Sequence, residues 1–323
     1  MVPTMREACY IGIDTSNYTT SVAVANERGD IVANLKAPLP VKEGERGLRQ
    51  SDAVFAHTKN LPLLLDRLRD SIKALRPVAI CYSQKPRNAE DSYMPCFLSG
   101  AVAAHAIAAA LDIPIYTCSH QEGHVMAALY GAGVLEALSD KPFGAFHVSG
   151  GTTEALFVTP AEDALDIRLL GGSADLHAGQ AIDRIGVAMG LPFPCGPHLE
   201  VLARENTKKI PKPRICVSGL TCHLSGLENL ALKLLADTGD KPLVAAYVLR
   251  FISDTLFAMA KHVREGNPDL PLVFGGGVMS NRIIAAELTA KLGQDVYFSA
   301  PAFSADNAAG VALLCRKKAK LLQ

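Results

Sequence analysis

The sequence lacks any excess of charge of one sign. Its 323 residues contain 32 Lys plus Arg and 32 Asp plus Glu, so the formal net charge is +0. A chain without a net positive charge cannot bind nucleic acid by electrostatic attraction of the whole molecule alone. An RNA substrate would therefore need a local basic patch or a partner protein.

The eight cysteines lack any CxxC spacing. They are scattered at positions 9, 81, 96, 118, 195, 216, 222 and 315. Most of them lie in apolar segments, which is typical of reduced, buried thiols in a cytosolic protein. We therefore expect no disulfide and a cytoplasmic location.

Long apolar runs that could cross a membrane are also lacking. Residues 1–9 carry charges and have no long apolar core, so we expect no signal peptide. The Ala-rich segment Phe97–Leu111 contains His105 and precedes Asp112, and we interpret it as a buried helix that is too short and too polar to span a bilayer. No low-complexity linker is visible, and the length with 49% hydrophobic residues favours two domains.

The most informative feature present is a pair of histidines four residues apart. On a helix, His120 and His124 would lie on one face and could bind one metal ion. Ser119 and Glu122 have the spacing of a capping box, which would start the helix at the first histidine. Spacing alone leaves open that both histidines are ordinary solvated or core side chains, and that Glu122 is catalytic rather than a cap. Zinc-protease helices place glutamate directly after the first histidine, where this chain has Gln121.

Two segments about 130 residues apart follow one plan, which suggests an internal duplication. Residues 10–26 and 143–160 are each typical of a β-hairpin with a small, hydroxylated turn, and alternating helices and strands follow each of them. The first of these helices is expected over 58–74, and Ser304 is expected to cap the last. We predict an α/β protein with one lobe formed by residues 1–140 and the helix 304–323, and a second lobe formed by 141–303.

Three glycine turns could hold a nucleotide. Ser149-Gly150-Gly151 follows a predicted strand, and Gly275-Gly276-Gly277 leads from a strand towards a helix that starts near Asn281. Glycines let backbone amides approach phosphate oxygens, and a helix start favours an anion. The first turn could equally be an ordinary hairpin turn, and Pro194-Cys195-Gly196-Pro197 could be only a helix stop.

Seven short motifs follow one another along the chain. They are His120-Gln121-Glu122-Gly123-His124, Val148-Ser149-Gly150-Gly151, Ala178-Gly179-Gln180-Ala181-Ile182-Asp183, Pro194-Cys195-Gly196-Pro197, Ser218-Gly219-Leu220, Gly275-Gly276-Gly277-Val278-Met279-Ser280-Asn281 and Asp306-Asn307-Ala308-Ala309. In this order they resemble the tRNA threonylcarbamoyladenosine synthase family, once called glycoproteases, over nearly the whole chain. The resemblance implies an actin-like, two-lobed α/β (ASKHA) fold of duplicated RNase H-like domains, with a metal and a nucleotide-like ligand between the lobes.

The resemblance also implies two sets of site residues. His120, His124 and Asp306 would be ligands of a divalent metal, zinc or iron, although an acid such as Asp306 is also common at a helix start. His147 precedes the first glycine turn where some relatives have a tyrosine near the metal, and it is a candidate fourth ligand. The residues implied for an adenine nucleotide or threonylcarbamoyl-adenylate are Ser149, Gly150, Gly151, Asp183, Gly196, Glu200 and Asn281.

The reaction implied by the resemblance is an acyl transfer. A threonylcarbamoyl group would move from its adenylate to the exocyclic amine of the adenosine next to the tRNA anticodon. The implied partners are tRNA, a scaffold homologue and an ATPase-type helper, with no membrane. The alternatives are an ATPase or small-molecule kinase of the actin-like superfamily, a metallopeptidase and a non-catalytic partner subunit.

Three segments depart from the family pattern. The first hairpin usually carries a Cys-Asp-Glu-Thr turn, whereas Asp14-Thr15-Ser16 is followed here by Asn17-Tyr18-Thr19-Thr20. Residues 84–93 replace a Gly-Pro-Gly-Leu loop and include Arg87, a candidate contact for phosphate or carboxylate. Thr152 stands where the family has a histidine. These changes predict a divergent paralogue, which could use a different donor or acceptor.

Overall fold

The computed structural model describes residues 6–40 and 48–321. Contacts within the chain divide it into two compact units. The first unit comprises residues 1–130, 160–166 and 306–323, and the second unit comprises residues 131–159 and 167–305. The division at residues 140 and 303 into a metal lobe and a nucleotide lobe stays a prediction.

The described part of the chain contains both strands and helices, in runs of one to three elements of the same type. The strands are Glu7–Ser16 (β1), Thr19–Asn26 (β2), Ile31–Pro38 (β3), Leu75–Lys85 (β4), Ile115–Ser119 (β5), Phe143–Val148 (β6), Thr153–Pro160 (β7), Leu165–Gly172 (β8), Cys216–Ser218 (β9), Thr221–His223 (β10), Leu272–Gly275 (β11) and Val296–Phe298 (β12). The helices are Gln50–Ser71 (α1), Phe97–Leu111 (α2), His120–Gly131 (α3), Leu135–Leu138 (α4), Ala178–Ala188 (α5), Gly196–Arg204 (α6), Ser225–Thr238 (α7), Lys241–Val263 (α8), Arg282–Leu292 (α9), Pro301–Ser304 (α10) and Ala309–Leu321 (α11). A short 3₁₀ helix covers Gly277–Ser280.

The two five-stranded sheets have the same strand order. The first sheet runs β3-β2-β1-β4-β5, and the second runs β8-β7-β6-β11-β12. In both, the central strand pairs antiparallel with the next strand in the sequence and parallel with a later one, which pairs parallel with the edge strand. The predicted α/β class is confirmed, and the repeated order agrees with the predicted duplication.

Helices cover both faces of the first sheet. Ile11 and Ile13 in β1 belong to a core that also contains Leu61 and Leu64 of α1. Gly12 faces the other way, where a β-carbon would come within 2.9 Å of the Ala312 Cα in α11. A strand that is buried on both faces is apolar almost throughout, as β1 is from Ala8 to Ile13, before it reaches Asp14.

Aromatic stacking and one long helix form the core of the second unit. Phe274 of β11 stacks on Phe146 and Phe298 of the neighbouring strands, with ring centroids 4.7 and 5.0 Å apart. Among the described helices, only Lys241–Val263 is long and apolar enough to cross a membrane. Its most apolar window is 78% buried, so packing inside the protein accounts for its composition.

All eight cysteines are thiols, and all except Cys216 are buried. Burial raises the pKa of Cys9, Cys96 and Cys222 to about 11. Because the thiolate is the reactive form, such groups are poor nucleophiles at neutral pH. This fits the interpretation of these cysteines as core side chains.

The last predicted helix was wrong at its start. Ser304 ends the short α10 and donates its hydroxyl to the Ser299 carbonyl at 3.1 Å. The next helix, α11, begins only at Ala309, whose N–H is accepted by the Asn307 carboxamide oxygen at 3.0 Å. Asp306 therefore lies in the break between two helices, and residues 322 and 323 of the predicted helix lie outside the described part of the chain.

Candidate functional site

The histidine helix begins where the sequence predicts. Strand β5 ends at Ser119 and α3 starts at His120. The Glu122 carboxylate accepts from the Ser119 N–H at 2.7 Å and from its hydroxyl at 2.9 Å, and the Glu122 N–H donates to the Ser119 hydroxyl at 3.2 Å. The predicted capping box is confirmed, and the 2% exposed Glu122 is held by it.

The structure brings together the three side chains that the family motifs imply as metal ligands. The two Nε2 atoms of His120 and His124 are 2.8 Å apart, and Asp306 Oδ1 lies 3.2 Å from His124 Nε2 and 3.9 Å from His120 Nε2. Ligands about 2.0–2.1 Å from a tetrahedral ion are about 3.3 Å from one another. The measured separations lie on both sides of this value, so the donor set fits zinc, and two imidazoles with one carboxylate also suit iron.

Asp14 supports the triad, a role that the sequence interpretation missed. Its carboxylate is 0% exposed and lies 3.0 Å from His120 Nδ1. The Ser16 hydroxyl donates to Oδ2 at 2.8 Å and the Ser83 hydroxyl donates to Oδ1. A carboxylate on Nδ1 fixes the imidazole with its Nε2 lone pair free to bind a metal. The available signal was an acidic residue directly after the apolar part of a strand, residues 8–13.

These groups shift one another's pKa values. Burial opposes the charge on Asp14, but the cationic His120 and the bonds from His120 and Ser83 hold the pKa of this carboxyl below its usual value. Burial likewise opposes the charge on His120, yet Asp14 and Asp306 raise its pKa to about 9. Burial and the charge on His120 lower the pKa of His124. A divalent cation would therefore compete with a proton on His120 and find His124 already neutral.

Replacing Asp14 with asparagine is expected to weaken metal binding without removing a ligand. The amide lacks the charge that orients His120, and loss of such a partner typically costs about 10- to 100-fold in affinity. The measurement is competition between the purified protein and a zinc chelator. The control is Asp70→Asn, an exposed residue of α1 whose carboxylate contacts only Lys73 among the described ion pairs. Equal zinc affinities for Asp14→Asn and the wild type would contradict this role.

The helix that carries His124 and the helix that follows Asp306 are in close contact. A β-carbon on Gly310 of α11 would overlap the Gly123 carbonyl of α3 and come within 2.8 Å of the Ala127 nitrogen. The two helices thus meet backbone to backbone. This brings the helix that follows Asp306 against the helix that carries His124.

In the second unit, the first predicted nucleotide turn is tight and open on one side. The Ser149 N–H donates to the Thr152 carbonyl at 2.7 Å, and the Gly179 N–H at the start of α5 donates to the Ser149 carbonyl at 3.1 Å. A β-carbon on Gly150 or Gly151 would meet no atom within 4 Å. The glycines are therefore not required by packing at these two positions, and the role of this turn in nucleotide binding stays a prediction.

The second glycine turn packs against the strand that leads into the first. Gly276 has a φ of +95°, and a β-carbon there would overlap the Val148 carbonyl. Both observations require glycine at this position. The Asn281 oxygen accepts from the N–H groups of Ile283 and Ile284 at 3.0 and 3.1 Å, so it caps α9.

The remaining predicted nucleotide residues connect the neighbouring helices. The Asp183 carboxylate accepts from the Cys195 N–H at 2.9 Å, and burial raises its pKa. Glu200 accepts from the Arg282 N–H at 3.3 Å, at the start of α9. Gly196 is the first residue of α6. These contacts place the predicted residues around one region of the second unit, while their role as nucleotide ligands stays a prediction.

His147 belongs to the second unit, in β6. It pairs with Gly275 of β11 and with Glu154 of β7. Its side chain is half-buried. The proposed role of His147 as a fourth metal ligand stays a prediction.

Two of the three segments that depart from the family pattern, residues 84–93 and the first hairpin turn, are held in place by hydrogen bonds. The Pro86 carbonyl accepts from the Gln121 N–H at 3.0 Å, which fixes the 84–93 segment to the first turn of α3. Gln50 donates to the Asn17 side-chain oxygen at 2.8 Å, which fixes the altered hairpin turn to α1. The role of Arg87, whose N–H donates to the Ser92 hydroxyl at 2.9 Å, stays a prediction.

Solved structures share this fold at low sequence identity. HypF from T. kodakarensis matches with a TM-score of 0.64 and 13% identity over 98% of this chain and 48% of HypF. Component A of the Acidaminococcus fermentans (R)-2-hydroxyglutaryl-CoA dehydratase matches with a TM-score of 0.56 and 15% identity over 97% of this chain and 99% of that one. A ROK family glucokinase from Streptomyces griseus matches with a TM-score of 0.51 and 11% identity over 96% of this chain and 99% of the glucokinase. These similarities confirm the predicted actin-like α/β fold.

Family membership is shown by the sequence itself. Residues 43–313 match the family described as tRNA N6-adenosine threonylcarbamoyltransferase. The match spans both units and includes the histidine pair, the glycine turns and Asp306. The protein belongs to the tRNA N6-adenosine threonylcarbamoyltransferase (TsaD) family.

Proposed function

We propose that this protein is an acyltransferase. It moves a threonylcarbamoyl group from threonylcarbamoyl-adenylate to the exocyclic amine of the adenosine next to the tRNA anticodon, or it carries out a closely related carbamoyl transfer. The observation that carries the proposal is the cluster of His120, His124 and Asp306 with Asp14 behind it, in a member of this family. A protein that served only as a scaffold would have no use for such a supported donor set.

The proposed division of labour follows the chemistry of each residue set. A zinc or iron ion held by the triad would act as a Lewis acid towards a carbonyl oxygen. The chain's own contribution is to hold His120 in one tautomer through Asp14 and to keep Glu122 in the helix cap. In the transfer, the amine nitrogen forms a bond to the carbamoyl carbon, and the bond between that carbon and the bridging phosphate oxygen breaks. AMP leaves with the oxygen and the electron pair of that bond, and the amine releases one proton to solvent.

The adenylate half of the donor is assigned to the second unit. The Ser149 and Gly151 N–H groups donate within the turn, to the Thr152 carbonyl and the Ser149 hydroxyl, so we propose that the Gly150 N–H is the amide that contacts phosphate, while Asp183 or Glu200 suits ribose hydroxyls. Because the chain has no net charge, we propose that tRNA binding needs the scaffold homologue and the ATPase-type helper. These partners and the reduced thiols also support a cytoplasmic location.

Two other activities compete with this proposal. Phosphotransfer from ATP is compatible with the fold, since the glucokinase with a similar fold was solved with glucose and AMPPNP. Peptide hydrolysis is less well supported, because a zinc peptidase needs a general base and Glu122 already accepts two hydrogen bonds in the cap.

The decisive experiment supplies all the reactants. Purified protein of measured metal content is incubated with threonylcarbamoyl-adenylate and unmodified tRNA, alone and with the partner proteins. The tRNA is then digested to nucleosides, which are identified by their mass. We expect a modified adenosine that His124→Ala does not produce. Parallel incubation with γ-labelled ATP tests phosphotransfer. If no modified nucleoside forms under any condition, the acyl-transfer proposal is wrong.

A further inference from the structure

Two short segments concentrate positive charge in this chain, which has no net charge. Residues 316–320 contain four Lys or Arg, residues 208–214 also contain four, and neither segment contains an acid. All four side chains of residues 316–320 donate to acceptors within the first unit, at Glu27 and residues 161–164. That segment therefore contributes to the fold of its own unit.

Residues 208–214, here called the basic segment, are bound much less by the rest of the protein. Lys208 pairs with Asp240 at 2.6 Å. The side chains of Lys209, Lys212 and Arg214 are exposed, and they make no ion pair or hydrogen bond with the described residues. Three of the four cationic groups are thus available to an external anion.

Prolines keep the basic segment extended. Pro211 and Pro213 lack a backbone N–H, and each disfavours a helical conformation of the residue before it. The structure has neither helix nor strand between Arg204 and Cys216. Lys212 is therefore held on a restricted, extended backbone, which reduces the entropy that binding would cost.

The basic segment lies beside α8. Lys208 pairs with Asp240, the N-cap of that helix, and Lys212 lines a groove together with Lys261 near the other end of the helix. At 1.5 Å per helical residue, Asp240 and Lys261 are about 30 Å apart. The cationic groups are thus spread over the length of several phosphates, which follow one another at about 3.4 Å along one strand of a nucleic acid duplex.

The acids of the groove already have partners. The groove has a volume of about 390 Å³, and its acidic residues are Asp254 and Glu265. Asp254 pairs with Lys291 at 2.7 Å and with Arg250 at 3.1 Å, and Glu265 lies 2.6 Å from His262. Neither acid is paired with a lysine of the groove.

The surroundings stay positive after the nearby acids are counted. Lys261, like the three unpaired residues of the basic segment, has no ion pair with the described residues. Even with His262 neutral, Glu265 and the exposed Glu205 before the segment offset only two of these four charges. An excess of positive charge on an exposed, extended surface favours an anionic partner.

We propose that the basic segment and Lys261 bind the phosphate backbone of the tRNA substrate. The inference rests on the proposed function and names the surface through which this chain itself contacts RNA within the assembly. Cations spread along a helix suit a polymer better than a free nucleotide. RNA is favoured over an acidic protein because the family is described by its action on tRNA. Phosphate contacts of this kind position the RNA and carry no sequence information.

Salt-dependent binding of fluorescently labelled, unmodified tRNA tests this surface. Affinity is measured with the full-length protein, with and without the partner proteins, over a range of salt concentrations. In the variant Lys209→Gln/Lys212→Gln/Lys261→Gln we expect binding at low salt to weaken about tenfold or more. The slope of log affinity against log salt should fall by about two to three, because each phosphate contact contributes about 0.7–0.9. Arginine at the same three positions should preserve both values.

The matched control is Lys59→Gln/Lys73→Gln/Lys141→Gln, which removes the same charge at exposed positions elsewhere. If the control weakens binding as much as the test variant, or if the test variant binds tRNA as the wild type does, the assignment of this surface is wrong. Polyglutamate serves as the acidic-protein probe. A test variant that loses polyglutamate binding but retains tRNA binding would assign the surface to a protein partner instead.

The proposed function fails separately from this surface. If the wild type binds tRNA through the basic segment but forms no modified nucleoside, only the acyl-transfer proposal is contradicted. If the wild type binds no tRNA under any condition, both the surface and the proposed tRNA substrate are wrong.

Discussion

Changing His124 to alanine is expected to lower the affinity for zinc by more than about 100-fold, since loss of a ligand should exceed the loss caused by removing a supporting partner. His124 Nε2 is within 3.2 Å of both of the other donor side chains. Without it, only His120 and Asp306 remain, at 3.9 Å. Metal content after dialysis against a weak chelator measures the effect, and acyl transfer should disappear with the metal.

His105 provides the matched control for this substitution. It is an exposed histidine of α2, with its ring 5.9 Å from that of Tyr82, and it takes no part in the triad. His105→Ala should retain the wild-type metal content and activity. A His124→Ala protein that keeps stoichiometric zinc at the wild-type affinity would rule out the proposed ligand set.

The local parts of the site could be predicted from the sequence because they depend on nearby residues. The spacing of His120 and His124 and the cap formed by Ser119 and Glu122 involve a single helix start. The bond between His120 and Asp14 joins residues 106 positions apart, and no local pattern encodes it. The strand register across β1, β4 and β5, together with the start of α3 directly after β5, brings these two side chains together.

The predicted helix boundaries were wrong where tertiary packing, rather than local sequence signals, determines where a helix begins or ends. The first helix begins at Gln50 rather than at residue 58, and Arg49 at its N-cap makes no side-chain capping bond. Burial of Ala53 and His57 in the first unit stabilises this additional length instead. The prediction at Ser304 was wrong in a different way: this residue was expected to cap the start of the last helix, but it is the last residue of α10. In both cases the local preference was overridden by packing.

Gly310→Ala is expected to disturb both the stability of the first unit and the metal site. The added methyl group would overlap the Gly123 carbonyl, and a backbone atom cannot move aside as a flexible side chain can. Overpacking of this kind costs about 3 kcal/mol, reduced by about 1 kcal/mol because alanine favours a helix over glycine. Urea denaturation measures the net loss, about 2 kcal/mol.

Gly123→Ala tests the same helix contact from its other side. There the new β-carbon would meet the Val311 Cγ2 methyl at 3.1 Å, and a side-chain methyl can shift by a few tenths of an ångström. Its stability should therefore remain within about 1 kcal/mol of the wild type. Gly310→Ala should also bind zinc more weakly than Gly123→Ala, because separation of α3 from α11 moves His124 away from Asp306. If the two variants have equal stability and equal zinc affinity, the contact between these glycines does not set the geometry of the metal site.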